Sequence, residues 1–148
     1  MKLQDILATK GTDVFTVAPT TKLADVVKHM IDRNVGSMVV CERDLAHGER
    51  IVGIVTERDM LRCFANGKCD LARMQAADVM TTDPVTATPM DSVDDLMGVM
   101  TTHRIRHVPV VSGNGDRLVG MVSIGDLLKA HHDHLEVENH FMRDYIRG

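Results

Sequence analysis

The hydrophobic positions of the 148-residue chain follow one order of spacings in its first half. A short apolar run at 14–17 comes first, and the next apolar side chains recur at helical spacing, at positions 23, 26, 27, 30 and 31. Continuous apolar runs at 38–41 and 51–55 predict two buried strands, separated by a charged hairpin loop at 42–50. A helix is expected from Glu57 towards Phe64. The pattern predicts a strand–helix–strand–strand–helix unit, with Thr20 or Thr21 capping its first helix.

The second half of the chain repeats this order. Segment 51–61 returns as 118–128, and the repeat predicts strands at 85–87, 108–111 and 118–122 and helices at 92–100 and from Ile124 onwards. The connector between the halves is long enough for a helical turn at 76–80. A repeated unit that cannot bury its apolar face alone packs against its twin. We therefore expect one domain with two related clefts between its halves.

Two segments lie outside the repeat. Residues 4–8 are expected to form a short N-terminal helix. The tail, residues 131–147, carries a helical apolar stripe at Val137, Phe141 and Tyr145. The stripe is expected either to bind a second subunit or to cap its own domain.

Composition excludes several classes of function. The net charge of −4 argues against general nucleic-acid binding, which requires a basic surface. No stretch reaches the roughly 18 apolar residues of a membrane span, and no secretory signal is visible. The three cysteines, Cys41, Cys63 and Cys69, lack the spacing of a metal site. Free thiols in a reducing cytoplasm are expected.

The most specific motif is a Gly followed by two apolar residues, a Thr or Ser, and an Asp three residues later. It occurs as Gly53 to Asp59 and as Gly120 to Asp126. The hydroxyl residues, Thr56 and Ser123, fall at a helix N-terminus, where free backbone amides suit a phosphate. An ionised Asp can accept both hydrogens of a vicinal diol. Phosphate beside diol describes a ribonucleotide, although the same spacing is also that of a capping box, which needs no ligand.

Two arginines precede the core strand of the second unit. Strand alternation places Arg104 and Arg106 on one face, with Ile105 and His107 on the other. A guanidinium fork suits phosphate oxygens, whereas a solvated strand edge is the alternative. The first unit is less basic here. Arg58 supplies a charge inside its motif where Gly125 stands in the second unit, so the two clefts should differ.

Taken together, the repeated Thr-x-x-Pro, amphipathic helix, Val-Pro-Val-Val strand and Gly-to-Asp motif resemble the CBS domain, present as a tandem pair (a Bateman module). The resemblance covers about residues 12–130. It implies an α/β (α+β) fold in which two pseudo-symmetric β-α-β-β-α units pack sheet to sheet, with the N- and C-terminal helices outside the repeat. The expected boundaries are 12–66 and 84–130 for the units, 67–83 for the linker and 131–148 for the C-terminal helix.

The resemblance also implies a function. CBS pairs bind adenosine-containing ligands, so AMP is the first expectation, with ADP, ATP, NAD and S-adenosylmethionine as the others. It further implies a disc-like homodimer that acts on a regulated protein. Thr56 with Asp59 matches one site and Ser123 with Asp126 the other, while Thr16 and Thr86 match the first-strand positions. The full set of candidate nucleotide-binding residues is Thr16, Ser37, Met38, Thr56, Arg58, Asp59, Thr86, Arg104, Arg106, His107, Val108, Pro109, Ser123, Gly125 and Asp126.

The first unit departs from the family pattern in two ways. Val39 stands where the second unit has Pro109, and the hairpin of the first unit is longer. Its cleft is therefore the less certain to be filled.

Other residues allow competing interpretations. His131 and His134 could share a metal, but no Cys pair or acid at ligand spacing supports it, and no metal is expected. His107 near Ser123 and Asp126 could serve an enzyme. The preferred prediction is a cytoplasmic signal-transduction module without catalysis. The alternatives are an enzyme acting on adenylate phosphates and a purely structural dimerisation module.

Overall fold

The computed structural model describes residues 1–45, 48–115 and 117–147. The first half contains α1 (Leu3–Lys10), β1 (Thr16–Val17), α2 (Leu23–Arg33), β2 (Ser37–Asp44), β3 (Gly48–Thr56) and α3 (Glu57–Ala65). The second half contains α4 (Ala76–Val79), α5 (Val93–His103), β4 (His107–Val111), β5 (Leu118–Ser123) and α6 (Ile124–Arg147). The predicted α/β architecture of two similar units is confirmed.

The two sheets differ in the size of their first strand. In the first unit, β1 pairs in parallel with β2, and β2 pairs antiparallel with β3. In the second unit β4 and β5 pair antiparallel, and the strand expected at 85–87 is reduced to a single bridge between Ala87 and Val110. Pro109 explains the loss, because it has no N–H to donate to the carbonyl of Val85 in a longer parallel ladder.

The charged hairpin of the first unit is shorter than expected. β2 extends to Asp44 and β3 begins at Gly48, so most of the segment predicted as loop is strand. Residues 46 and 47 of that predicted loop lie outside the described residues. Long antiparallel strands tolerate exposed charges on their solvent face, which is why the charge pattern was misleading here.

The start of α2 also differs from the prediction. Its N-cap is Lys22, and the Thr21 hydroxyl instead accepts a hydrogen bond from the Ala18 amide at 3.0 Å. The free amides of Leu23 and Ala24 donate to the carbonyls of Met74 and Leu71. A neighbouring loop therefore replaces the expected side-chain cap.

Two other helices are longer than expected. α5 begins after its N-cap Ser92 and continues to His103, where Arg104 adopts the left-handed conformation that ends it. α6 runs without a break from the second unit into the tail, so the predicted C-terminal helix is a continuation of the last repeat helix. Residue 148 lies outside the described part of the chain.

The helix that precedes each unit in the chain packs into the core of the other unit. α1 packs Leu3, Ile6 and Leu7 into the core of the second unit, although it precedes the first. In turn α4 packs Ala76 into the core of the first unit. The sheets contact each other through β3 and β5. Each unit is thus completed by a segment that lies ahead of the other unit.

None of the described helices has the length and hydrophobicity needed to cross a membrane.

Candidate functional site

The motif of the first unit closes on itself. The Asp59 Oδ2 atom accepts hydrogen bonds from the Thr56 amide at 2.9 Å and the Thr56 hydroxyl at 3.0 Å. In return, the Thr56 hydroxyl oxygen accepts one from the Asp59 amide at 3.2 Å. Asp59 Oδ1 accepts a further bond from the Thr81 hydroxyl at 2.9 Å. The residue is only 6% exposed, so both of its carboxylate oxygens are engaged inside the protein.

The motif of the second unit forms the same box but leaves one oxygen free. Asp126 Oδ2 accepts from the Ser123 amide at 2.8 Å, and the Ser123 hydroxyl accepts from the Asp126 amide at 3.0 Å. The Lys10 ammonium donates to the same Oδ2 at 2.6 Å and to the Met121 carbonyl at 2.8 Å. Within the described part of the chain, Oδ1 of Asp126 has no hydrogen-bond partner. The Asp126 side chain is 26% exposed.

Burial and hydrogen bonding act in opposite directions on the pKa of Asp126. Partial burial would raise the pKa of this carboxyl, but the hydrogen bonds from Lys10 and Ser123 outweigh burial and lower it below its ordinary value. Asp126 is therefore ionised at neutral pH. An ionised carboxylate with a free oxygen can accept a hydroxyl hydrogen from a ligand.

The glycine of each motif lies against the segment that precedes the other unit in the chain. A Cβ on Gly53 would meet Met80 Sδ at 2.7 Å and the Thr81 carbonyl oxygen at 3.0 Å. A Cβ on Gly120 would meet Leu7 Cδ2 at 2.8 Å. The absence of a side chain at these glycines therefore allows α4 and α1 to pack closely, and no ligand is needed to account for a glycine at either position.

The core strands bring further candidate residues to the motifs. Ser37 pairs with Thr56 across β2 and β3, and His107 pairs with Ser123 across β4 and β5. The Ser37 hydroxyl is buried and has no hydrogen-bond partner within the described part of the chain. Such a group is rare in native proteins and marks a place where a water or ligand would be expected. The neighbouring candidates are Met38, Val108 and Pro109, all of them buried.

His107 is the half-buried centre of a charged cluster. Burial lowers its pKa, and the positive charges of Lys10 and Arg106 lower it further, against opposing contributions from Asp126 and Glu57. Glu57 belongs to the first unit, so His107 faces both units. The imidazole is neutral at pH 7.

The candidate arginines lie at the surface. Arg104 is the residue that ends α5. The Ile124 amide donates a hydrogen bond to the Arg106 carbonyl at 2.8 Å, so the Arg106 backbone lies beside the start of α6. Arg58 is exposed on the first turn of α3, and Gly125 is exposed at the matching position of α6. Among the described residues, no ion pair holds any of the three guanidinium groups.

Among the hydrogen bonds between described residues, none joins Thr16 or Thr86 to either motif. The Thr16 hydroxyl donates to Glu49 Oε1 at 3.2 Å and lines a cleft of ≈ 550 Å³, which is separate from the ≈ 340 Å³ cleft at Asp59. Thr86 is exposed. However, the residues that hydrogen-bond to the two motifs precede these threonines in the chain. Thr81, which donates to Asp59, lies five residues before Thr86, and Lys10, which donates to Asp126, lies six residues before Thr16. Each motif therefore lies beside the segment that enters the other unit.

Sequence reasoning missed Lys10 and Thr81. Both contacts join positions far apart in the chain, and no periodicity reports such contacts. A signal was present in a second repeat: Asp5 and Leu7 of α1 recur as Asp78 and Met80 around α4. Both aspartates accept the N-cap amide of their helix.

The tail histidines pair with acids. His131 Nδ1 lies 3.3 Å from Asp94 Oδ1, and His132, His134 and His140 each lie within 3.3 Å of an acid one turn further along α6. In the described ranges, no group of three or more His, Cys, Asp or Glu side chains is placed to hold a metal ion. The stripe at 137–145 is more than half exposed and does not cap its own domain.

Comparison with known proteins gives consistent matches. The model of the CBS domain matches residues 4–66 and 76–133. The CBS domain-containing protein CBSX3, mitochondrial, of Arabidopsis thaliana is 39% identical over 127 residues, which are 84% of this chain and 59% of that protein. The chain thus spans less than two thirds of that relative.

Solved structures match over most of both chains. The CBS-domain protein ATU1752 of Agrobacterium tumefaciens has a TM-score of 0.76 at 33% identity, covering 88% of this chain and 99% of that one. The CBS domain protein PAE2072 of Pyrobaculum aerophilum, described as complexed with AMP, has a TM-score of 0.71 at 32% identity. That match covers 85% of this chain and 89% of the other.

Proposed function

The chain belongs to the CBS-domain family as a tandem pair, and on that premise we propose that it is a regulatory module that binds an adenosine nucleotide between its two units. AMP is the first candidate, because a structural relative at 32% identity is described with AMP. ADP, ATP, NAD and S-adenosylmethionine share the adenosine group. The observation that carries the proposal is the free oxygen of ionised Asp126 beside a helix N-terminus, with Lys10 on the other carboxylate oxygen.

The second-unit motif is the principal site. A ribose hydroxyl would donate to Asp126 Oδ1, which no described protein group occupies. The phosphate would lie at the N-terminus of α6, where Ser123 and Gly125 expose the first turn and the helix dipole favours an anion. Lys10 and Arg106 supply positive charge near this end of the helix.

The first-unit motif is the weaker site. A ligand there would have to displace Thr81 from Asp59, and the carboxylate is almost fully buried. The unpartnered Ser37 hydroxyl, next to Met38 and paired across the strands with Thr56, still offers a place for a polar ligand group, and Arg58 follows on the first turn of α3. We therefore expect two unequal sites.

Catalysis is not part of the proposal. Ser123 and Asp126 hydrogen-bond to each other, Lys10 donates to Asp126, and His107 donates to neither Ser123 nor Asp126 among the hydrogen bonds of the described residues. A serine nucleophile needs a base in hydrogen-bond reach. A purely structural role is supported by both capping boxes, but capping accounts for neither the free Asp126 oxygen nor the unpartnered Ser37 hydroxyl.

Two copies are proposed to associate as a homodimer, and ligand occupancy would alter a surface that a regulated protein recognises. A ligand can do this only through its different affinity for two arrangements of the module. The exposed apolar side chains of α6 offer one surface for the second copy.

The test is isothermal titration of the nucleotide-free protein with AMP, ATP, NAD and S-adenosylmethionine. We expect a Kd in the micromolar range for one of them, weakened at least about tenfold by Asp126→Ala, since a charge-assisted hydrogen bond is lost. Asp5→Ala is the matched control, because it removes the same kind of capping carboxylate from α1. Each variant should lose about 1 kcal/mol of stability, and only the first should lose binding. Equal binding by both variants would leave the motif as a cap alone.

A further inference from the structure

One row of side chains on α6 follows steps of four and three residues from the core to the exposed end of the helix. The row comprises Leu127, His131, His134, Glu138, Phe141 and Tyr145. Side chains at this spacing share one face of a helix, and they form the seam when two such helices pair. His134 and Glu138 are 51% and 58% exposed, and they lie on the same face as the exposed aromatic rings of Phe141 and Tyr145.

His134 and Glu138 have the separation of two ligands on one metal ion. The His134 Nε2 atom lies 3.2 Å from Glu138 Oε1. Two ligands of a tetrahedral Zn²⁺ ion, each about 2.1 Å from the metal, lie about 3.4 Å from each other. An unprotonated imidazole nitrogen and the carboxylate oxygen can therefore bind Zn²⁺ together with little movement of either side chain.

One copy of the chain supplies only half of such a site. Among the described residues, no group of three or more His, Cys, Asp or Glu side chains is placed to hold a metal ion. His131, the preceding member of the row, is engaged elsewhere, because its Nδ1 atom lies 3.3 Å from Asp94 Oδ1. A structural zinc site has four protein ligands. The remaining two are therefore expected from a second molecule.

A second copy supplies both ligands when two α6 helices pair in parallel and in register. Phe141 and Tyr145 then lie against the same residues of the partner, and the two pairs of His134 and Glu138 meet. An antiparallel pair centred between Glu138 and Phe141 would instead bury each aromatic ring against a histidine or a glutamate. The positions that flank the row are apolar and exposed, namely Leu135, Val137 and Met142.

We propose that His134 and Glu138 of two paired chains bind one Zn²⁺ ion between their α6 helices. The proposal rests on the homodimer of the proposed function and adds a metal that joins the two copies. It departs from the sequence-based expectation of no metal, because the structure pairs His134 with Glu138 rather than with His131. The ion also balances the two Glu138 carboxylates, which would otherwise repel each other in an apolar seam.

Sedimentation equilibrium of the full, nucleotide-free chain in EDTA and in Zn²⁺ tests the site. We expect Zn²⁺ to lower the dissociation constant of the dimer at least about tenfold, because a metal that binds the dimer more tightly than the single chain favours the dimer. Isothermal titration should give one Zn²⁺ ion for two chains. Mg²⁺ should have no effect, because it prefers six oxygen ligands. Co²⁺ in place of Zn²⁺ should show the strong visible absorption of tetrahedral coordination.

Variants of α6 assign the effect to these residues. His134→Ala and Glu138→Gln should each abolish the strengthening of the dimer by Zn²⁺. His132→Ala is the matched control, because the His132 Nε2 atom lies 3.1 Å from Glu136 Oε1 in the same arrangement but off the row. This variant should bind Zn²⁺ and dimerise like the unmodified chain. Circular dichroism checks that α6 stays helical in each variant.

The possible failures are distinguishable. A dimer that is equally strong in EDTA and in Zn²⁺ would overturn the metal site and leave the homodimer, whereas a chain that is monomeric in both would overturn the two together. An equal loss in His132→Ala, or one Zn²⁺ per chain that survives His134→Ala, would also overturn the site. None of these measurements uses nucleotide, so their failure is distinct from failure of nucleotide binding.

Discussion

Asp59 and Asp126 hold the same place in two copies of one motif, yet their carboxylates differ in what they leave available. Thr81 takes the second oxygen of Asp59, whereas Lys10 shares the first oxygen of Asp126 and leaves the second one free. The neutral Thr81 hydroxyl occupies the remaining oxygen of Asp59, whereas the charged Lys10 ammonium lowers the pKa of Asp126 without occupying its second oxygen. The difference between the two sites therefore comes from residues outside the motif.

Lys10 is predicted to stabilise the protein through Asp126 in a pH-dependent way. The native pKa of Asp126 is below its ordinary value of 3.8, so the stabilisation is present above that pH and is lost as the pH falls through the native pKa. Lys10→Met should lower the free energy of unfolding by about 1 kcal/mol at pH 7, since the pair is partly exposed. The deficit should disappear in strong acid. Urea unfolding at several pH values measures it, and a deficit independent of pH would contradict this account.

His107 is predicted to take up a proton when a nucleotide binds. Its pKa lies below 6.5 because of burial and the nearby Lys10 and Arg106, with Asp126 and Glu57 opposing them. A phosphate beside it would raise that pKa, so binding at a pH close to the native pKa of His107 should be coupled to protonation. Calorimetry in two buffers of different ionisation enthalpy should give different heats, and His107→Gln should abolish the difference. Equal heats for the unmodified protein would place the phosphate elsewhere.

At the scale of elements, the exchange of α1 and α4 between units explains the two motif glycines. Gly53 faces both a Met80 side chain and the Thr81 backbone, whereas Gly120 faces only the end of the Leu7 side chain. A flexible methyl group can move aside more easily than a carbonyl that pairs with Ile54. The two glycines therefore tolerate substitution unequally.

Gly53→Ala is predicted to be more damaging than Gly120→Ala. Overpacking a core costs about 1–3 kcal/mol, and the upper part of that range is expected at Gly53. Gly120→Ala should fall at the lower end and serves as the matched control. Urea denaturation of both variants measures the difference in unfolding free energy. Equal losses would show that Met80 and Thr81 yield as readily as Leu7.

The sequence predicted most helices and strands because their apolar spacing is local. The helix start after Thr56 was likewise placed by capping chemistry within one turn, and the repeat of the chain placed the helix start at Ser92. The cap of α2 was wrong, because the amides that Thr20 or Thr21 would have served are satisfied by Leu71 and Met74 across the fold. Lys10 and Thr81 were missed at the candidate site for the same reason. Contacts between distant segments leave no period in the sequence.

At the scale of the whole molecule, the second half of α6 projects from the domain. Val137, Phe141 and Tyr145 are 54%, 68% and 84% exposed, and the histidines beside them pair with acids on the same helix. Of the two roles expected for this stripe, capping its own domain is therefore wrong. A second copy is the occupant that the proposed homodimer supplies.

Phe141→Asp is predicted to weaken the dimer without unfolding the chain. The side chain buries little within its own domain, so the free energy of unfolding at low concentration should change by less than about 0.5 kcal/mol. Asn139→Asp is the control, because it adds the same charge on the opposite face of α6. Sedimentation equilibrium should show a shift towards monomer for the first variant only. A monomeric unmodified chain, or equal shifts, would exclude this face.

The crossed packing of α1 also governs how the chain acquires its structure during synthesis. Leu7 is synthesised before the first unit, but the surface that buries it, around Gly120, belongs to the second unit. α4 follows closely on the unit that it completes. The first unit can therefore fold during synthesis of the second, whereas α1 has no packing partner until the second unit has been made. Such long-range closure slows folding, because α1 can be buried only after the second unit has been synthesised.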